Sequence, residues 1–165
     1  MELRDYQQNI ALQGVEILKE FQLLYLAMQV RTGKTITALQ IAKLYGASKV
    51  LFVTKLKAIS SIKKDFEAIN PKFDIYVVNY ESLHKINTNY DFIILDEAHC
   101  LGQYPKPAKR VDELKRICKL KPIVYLSGTP SPESYSQFYH QFYISSFSPF
   151  VEKKFYEWHK VYGIP

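Results

Sequence analysis

The sequence predicts an α/β fold in which helices cover both faces of a parallel β-sheet. Short runs that are apolar at every position alternate with helical segments, a pattern typical of parallel strands buried on both faces. The length of 165 residues, with 47% hydrophobic and 23% charged residues, suits one globular domain that buries a core without disulfides. Polar residues follow directly after several predicted strands, where parallel sheets gather their ligands.

The first half of the chain alternates between helix and strand. Apolar positions at helical spacing predict the helices, and Gly46 and Pro71 end the second and third of them. The apolar runs that lie between these helices predict buried strands. The predicted elements are a helix at 5–20, a strand at 23–27, a helix at 34–45, a strand at 50–54 and a helix at 57–69.

The second half supplies three more strands. The predicted elements are strands at 75–78, 92–95 and 123–126, and a helix at 108–118. Four residues with functional chemistry fall at the carboxyl ends of four of the five strands: Gly33, Thr54, Asp96 and Ser127. Because these ends share one edge of a parallel sheet, the sequence predicts a single site.

Composition narrows the class of protein. Cys100 and Cys118 lack a metal-ligand spacing and are too few for a disulfide scaffold, which favours a reducing, cytoplasmic setting. No apolar run reaches the roughly 20 residues that span a bilayer, so no membrane partner is expected. The net charge of +6 and the pI near 9.1 suit a polyanionic partner, although this signal alone is weak.

A phosphate-binding loop is predicted between the first strand and the second helix. Its residues are Arg31, Thr32, Gly33, Lys34 and Thr35. Glycine lets the backbone approach a triphosphate, lysine supplies charge to the β- and γ-phosphates, and threonine binds Mg²⁺ at a helix N-terminus. Met28 stands where the usual pattern begins with glycine. A chance Gly-Lys-Thr is the alternative, and the strand-to-helix context argues against it.

A pair of carboxylates follows the apolar strand at 92–95. Asp96 is placed to hold Mg²⁺, and Glu97 to orient and deprotonate an attacking water. The next strand ends in Ser127, with Thr129 two residues later; their hydroxyls are expected to reach His99 or the acids and to report the state of the γ-phosphate. The alternatives are a solvated acidic turn and an ordinary Gly-Pro turn.

Aromatic residues concentrate near the C-terminus, where eleven lie between Tyr135 and Tyr162. Those from Tyr135 to Tyr143 follow helical spacing, which favours core packing. Five others are harder to bury in so small a domain and suggest a surface for a second lobe or a partner. These five are Phe147, Phe150, Phe155, Tyr156 and Trp158.

Taken in order, these segments resemble a known family. Residues 33–35, 96–99 and 127–129 resemble motifs I, II and III of the superfamily-two helicases. Residues 3–7 are similar to the segment ahead of motif I in which glutamine contacts adenine. Residues 78–83 look like the Ser/Asn-Tyr-Glu segment of the Swi/Snf-type branch, whose members, phage proteins included, often lack the first glycine of motif I.

The resemblance implies a P-loop NTPase with a RecA-like first motor domain that binds ATP and Mg²⁺ and faces nucleic acid, with double-stranded DNA favoured. By position, Gln7 would contact adenine and Arg4 would lie nearby. Lys55 and Lys57 match the motif Ia neighbourhood that touches the nucleic-acid backbone, and a solvated lysine face is an equal alternative. A further phosphate-contacting cluster is suggested at Lys106, Lys109 and Arg110.

The family's second RecA-like lobe, with its arginine finger, has no counterpart in these residues. The expectation is a first motor domain at 1–145 and an aromatic extension at 146–165 that begins the connection to a second lobe, in the same longer protein or in a separate chain. Alone, the chain would bind ATP weakly and hydrolyse it poorly. Two alternatives remain: another P-loop enzyme, such as a kinase or a terminase-like ATPase, and a non-catalytic nucleotide-binding module that docks onto a replication or transcription machine.

Overall fold

A computed structural model describes residues 2–29 and 32–163. Its centre is a five-stranded sheet in which every pairing is parallel, with the strand order β1-β5-β4-β2-β3. The strands are β1 (Leu23–Ala27), β2 (Lys49–Thr54), β3 (Asp74–Asn79), β4 (Phe92–Leu95) and β5 (Ile123–Ser127). The predicted α/β fold and all five predicted strands are confirmed.

Within the described residues, six α-helices accompany the sheet. They are α1 (Asp5–Phe21), α2 (Lys34–Tyr45), α3 (Ile59–Ile69), α4 (Lys109–Ile117), α5 (Phe138–Tyr143) and α6 (Phe155–Tyr162). Short 3₁₀ helices follow the ends of β2, β3 and β4 and precede α5: Leu56–Ala58, Tyr80–Lys85, Ala98–Leu101 and Tyr135–Gln137. The four predicted helices lie where they were expected, whereas α6 was not predicted.

The sheet separates two hydrophobic cores because successive strand side chains point to opposite faces. Phe52 and Ile94 pack with α1, α2 and α3 on one face. Their neighbours Leu51, Ile93 and Leu95 pack with α4 on the other face. Burial on both sides explains why these strands are apolar throughout and do not alternate with polar residues.

The faces of α1 differ in part from the expectation based on its apolar positions. Val15 and Leu18 are buried in the core, but Ile17 and Phe21 are 43% and 57% exposed. A turn of 3.6 residues places Ile17 beside Leu18 but rotated away from the sheet, so its apolar character does not bring it inside.

The prediction that the late aromatic residues resist burial is wrong for two of them. Phe155 and Trp158 of α6 are buried against Tyr139 of α5 in a third cluster, with Tyr143 and Phe150 partly buried beside it. Ring centroids of Tyr139 and Trp158 lie 5.4 Å apart. The short helix α6 closes over α5 and supplies the cover that the sheet alone does not. Phe147 and Tyr156 remain exposed.

A substitution at Leu39 of α2 tests how much the core between the sheet and helices α1, α2 and α3 contributes to stability. It is fully buried, so Leu39→Ala should lower the free energy of unfolding by about 2–5 kcal/mol through lost transfer energy and a residual cavity. Urea denaturation followed by circular dichroism measures the change. Leu44→Ala on the exposed side of the same helix is the matched control, with an expected loss below about 1 kcal/mol; equal losses would contradict the packing described.

Candidate active site

The first part of the site is the turn between β1 and α2. Gly33 caps α2 with a left-handed backbone (φ 77°), and Lys34 and Thr35 form the first turn of the helix. The side chain of Thr37 donates a hydrogen bond to the Gly33 carbonyl, 2.9 Å away. No acidic residue lies in the first turn, so the unpaired N–H groups and the positive end of the helix dipole remain suited to an anion.

Gln7 of α1 packs directly on this turn. Its amide nitrogen donates to the Thr32 carbonyl at 3.3 Å, and its amide oxygen accepts from the Arg4 backbone N–H at 2.9 Å. The Tyr6 hydroxyl donates to the same Thr32 carbonyl at 2.9 Å. A Cβ at Gly33 would lie 2.1 Å from the Gln7 amide nitrogen. The left-handed backbone favours glycine here, and the lack of a Cβ leaves room for the close approach of Gln7.

Asp96 is held at the carboxyl end of β4. It is buried, and its carboxylate accepts a hydrogen bond of 2.7 Å from the hydroxyl of Thr54 at the end of β2. The Tyr80 hydroxyl donates to the Asp96 backbone carbonyl at 2.5 Å. Burial raises the pKa of Asp96, against the opposing effects of the Thr54 hydrogen bond and the Lys34 charge. The carboxylate is thus poorly solvated and fixed in place.

A chain of polar contacts leads from Glu97 to the end of β5. His99 Nε2 lies 3.5 Å from a Glu97 carboxylate oxygen, and His99 Nδ1 lies 2.8 Å from the Ser127 hydroxyl. The Ser127 hydroxyl oxygen also accepts from the Thr129 backbone N–H at 3.0 Å. Its own O–H is therefore available to His99 Nδ1, in the tautomer that directs Nε2–H towards Glu97.

His99 is a neutral link in this chain. Burial is the main cause that lowers its pKa; the Lys55 and Lys34 charges act in the same direction, and the Glu97 charge opposes them. Glu97 itself has a left-handed backbone (φ 52°, ψ 43°), which is unusual for a residue other than glycine. The turn after β4 thereby directs Asp96 and Glu97 differently, with Asp96 buried and Glu97 partly exposed.

Several predicted residues are brought together and others are not. Thr54, Asp96 and Ser127 meet at adjacent strand ends as expected. Lys55 and Lys57 are exposed beside them, at the end of β2. Arg31 lies outside the described residues. The suggested basic cluster is divided, because Lys109 and Arg110 line a groove beside Tyr80 whereas Lys106 lines a different pocket.

The support that Tyr80 gives to the site was not predicted, and neither was the contact of Arg110 with its ring. Tyr80 is buried beneath Asp96, and the Arg110 guanidinium carbon lies 5.5 Å from the centre of its ring. Arg110 also donates to the sulfur of Cys100 at 3.8 Å. The Tyr-Glu pair at residues 80–81 was recognised as part of a family motif. The neighbouring sequence does not indicate that the tyrosine hydroxyl binds the backbone of Asp96, 16 residues later.

Comparison with known proteins decides the family. The model of the DEAD/DEAH box helicases matches residues 38–138, which is more than half of the chain. The chain belongs to the DEAD/DEAH box helicase family. The model of the type III restriction enzyme res subunit also matches, over residues 1–74, a span that includes Gly33 and Lys34. The predicted superfamily-two assignment is confirmed.

Solved structures support the RecA-like fold of this helicase domain. The SWI2/SNF2 ATPase core of Sulfolobus solfataricus, determined with double-stranded DNA, is 17% identical over 99% of this chain with a TM-score of 0.80. The Hef helicase domain of Pyrococcus furiosus is 16% identical over 88% of the chain, with a TM-score of 0.66. The restriction-modification enzyme LlaGI, with a DNA substrate mimic, is 20% identical over 79%, with a TM-score of 0.57.

The helicase domain corresponds to part of each of these proteins. It spans 39% of the Sulfolobus core, 37% of the Hef domain and 18% of the LlaGI chain. No curated protein matches the sequence. Among the described residues, no helix combines the length and apolar character needed to cross a membrane.

The buried carboxylate of Asp96 predicts a measurable effect on stability. Because burial raises its pKa, the folded state binds the proton more tightly than the unfolded state, and stability falls as pH rises through the carboxyl range. Asp96→Asn keeps an acceptor for Thr54 and removes the charge, so it should raise Tm at pH 7.

Differential scanning fluorimetry at pH 5 and pH 7 measures this effect. The gain for Asp96→Asn should be larger at pH 7, where the native carboxyl is more fully ionised. The control is Asp91→Asn, which alters a carboxylate that is exposed and accepts from the backbone of Ser48 and Lys49. A loss of stability in Asp96→Asn at pH 7 would contradict the burial argument.

Proposed function

We propose that the chain is the ATP-binding first motor lobe of a nucleic-acid-dependent ATPase, a DNA helicase or translocase. The observation that carries this proposal is the convergence at four adjacent strand ends. There Asp96 is fixed by Thr54, and Glu97 is linked through His99 to Ser127. Membership of the DEAD/DEAH box family supports nucleotide and divalent-metal use.

The donor set suits Mg²⁺ and a triphosphate. Mg²⁺ is typically held by one or two protein oxygens, with water and phosphate oxygens completing its shell, and the Thr35 hydroxyl and the Asp96 carboxylate are such oxygens. Lys34 offers a point charge to the phosphates, with Gly33 and Thr32 forming the turn around them. When bound, the metal would neutralise charge that develops on the transferred phosphoryl group.

Glu97 is the residue we assign to orient and deprotonate the attacking water. It is partly exposed and lies beside the buried Asp96, so it is accessible to a water molecule. The contact with His99, and that of His99 with Ser127, would transmit a movement of Glu97 to the segment after β5. We assign a coupling role to His99, Ser127 and Thr129 on this basis, and adenine contact to Gln7, with Arg4 nearby.

Nucleic acid is the proposed partner on the adjacent surface. Lys55 and Lys57 line a groove of about 820 Å³ that continues to Asn79 and Arg110. Lysine side chains suit phosphate oxygens as point charges. Double-stranded DNA is the favoured form, since the similar Sulfolobus core was determined with it.

Full hydrolysis is proposed to need a second RecA-like lobe. The groups described at the site come from one sheet, from the segments that follow its strands and from the start of α1, so all of them belong to a single lobe. An arginine supplied from outside is worth about 10³–10⁵ in rate in comparable phosphoryl-transfer systems. We also propose that a motor domain at 1–145 is followed by an extension at 146–165 that connects it to the second lobe.

Replacement of Glu97 separates binding from hydrolysis. Glu97→Gln should leave ATP affinity within about threefold and lower single-turnover hydrolysis at least about 100-fold, the contribution of a positioned general base. Radiolabelled ATP in the presence of duplex DNA provides both measurements. Lys34→Ala is the matched control for the site, since it should weaken ATP binding itself. Unchanged hydrolysis in Glu97→Gln would favour a non-catalytic nucleotide-binding module.

Charge reversal tests the DNA surface. The double variant Lys55→Glu with Lys57→Glu should weaken duplex binding at least about tenfold and reduce the slope of affinity against salt concentration, because fewer counterions are released. Fluorescence anisotropy with a labelled duplex measures both. Lys63→Glu with Lys64→Glu, an equal charge change on exposed residues of α3, should have a smaller effect; equal effects would show only a response to net charge.

A further inference from the structure

A pocket between the segment after the acid pair and the C-terminal helices is not used by the proposed ATPase site. It has a volume of about 310 Å³, at the lower end of small-molecule sites, and its lining joins aromatic rings to lysines. Tyr139, His140 and Phe155 form its buried side, whereas Tyr156 is 67% exposed at its rim. The His140 and Phe155 rings lie nearly parallel, with centroids 6.1 Å apart.

His140 has one ring nitrogen without a partner. The residue is 7% exposed, and its Nε2 lies 2.7 Å from the Pro105 carbonyl. A carbonyl only accepts, so Nε2 carries the proton. Burial lowers the pKa of His140, which leaves the ring neutral and Nδ1 an acceptor. Nδ1 is buried with no hydrogen-bond partner among the described residues. A ligand donor that reaches it as the surrounding side chains move would relieve the cost of leaving it unpaired.

The charged side chains that line the pocket are lysines, although the carboxylates of Asp112, Glu152 and Glu157 lie near enough to act on His140 and Tyr139. Four lysines line it: Lys106, Lys115, Lys153 and Lys154. None of the described residues that line it carries a carboxylate. Lys115 Nζ lies 4.9 Å from the centre of the Tyr143 ring, which places a cation directly over the aromatic wall. The pocket therefore combines flat aromatic faces, lysine charges that suit phosphate groups and one buried hydrogen-bond acceptor.

We propose that this pocket binds a nucleotide unit, with the base stacked on the aromatic side chains at its rim and the phosphates on the lysines. All four bases carry N–H donors that an acceptor such as His140 Nδ1 requires, and all present a face for stacking. A carboxylate of an acidic peptide would satisfy the lysines but would set its lone pairs against that of Nδ1. The nucleotide comes from a single strand or from the free pool, and the two sources are distinguishable.

The chain's single tryptophan provides a local probe. Trp158 is buried, with its ring centroid 5.4 Å from that of Tyr139 and 5.9 Å from that of Phe155. Titration with a thymidine oligomer of about 12 nucleotides, without ATP, should change its emission saturably. An abasic oligomer of equal length should bind at least about tenfold more weakly, since it retains the phosphates but lacks the bases. If thymidine monophosphate binds as tightly as the oligomer, the ligand is the free nucleotide. If it binds more weakly, the ligand is a single strand.

Two variants and their controls test the assignment. Lys153→Glu with Lys154→Glu should raise the midpoint for the thymidine oligomer at least about tenfold, and Lys63→Glu with Lys64→Glu should raise it less. Tyr156→Ala should remove the preference for thymidine over the abasic oligomer, whereas Tyr76→Ala, at another exposed tyrosine, should retain it. Circular dichroism confirms that each variant is folded.

Three outcomes would overturn the proposal. Equal affinity for the thymidine and abasic oligomers would show that no base enters the pocket. Stronger binding of polyglutamate than of the oligomer would identify an acidic peptide as the ligand. Loss of the tryptophan response in Lys34→Ala would place the nucleotide at the phosphate loop. Because ATP is absent from these titrations, failure here leaves the proposed ATPase function untouched, and failure of the ATPase tests leaves this pocket untouched.

Discussion

The parallel alignment of β1, β5, β4 and β2 is the constraint on which the site depends. Parallel strands end on the same edge of a sheet, and these four are consecutive neighbours, so the residues that follow them are brought together without any long loop. Thr54 reaches Asp96, and Ser127 reaches His99, each across a single strand spacing. The apolar strands stabilise the sheet, and their polar ends supply the chemistry.

The strands and the motif residues were predictable because their signals are local. An uninterrupted apolar run indicates a buried strand wherever it pairs, and the polar residue at its end is known from the sequence alone. The order of the strands was not predicted, since it depends on contacts between distant segments: β5, the last strand in the chain, lies between β1 and β4. The contact between the Tyr80 hydroxyl and the Asp96 backbone was not predicted either, because it too joins segments that only the fold brings together.

The burial of the C-terminal aromatic residues could not be predicted from the sequence in full. Their spacing predicted helical packing for Tyr139, but the burial of Phe155 and Trp158 depends on α6 folding back over α5. A helix of eight residues leaves little periodicity to detect. Composition alone favoured an exposed surface, whereas three-dimensional packing buried Phe155 and Trp158 and left a lysine-rimmed pocket at their edge.

The backbone of Glu97 also has a consequence for how its side chain is studied. Left-handed dihedral angles cost a residue with a Cβ about 1 kcal/mol or more relative to glycine. A substitution to glycine would relax that conformation while deleting the carboxylate, and so would mix a gain in folding energy with a chemical loss. Glutamine retains the Cβ and the length of the side chain, so the energetic cost of the turn cancels between the two proteins and the remaining difference belongs to the carboxylate.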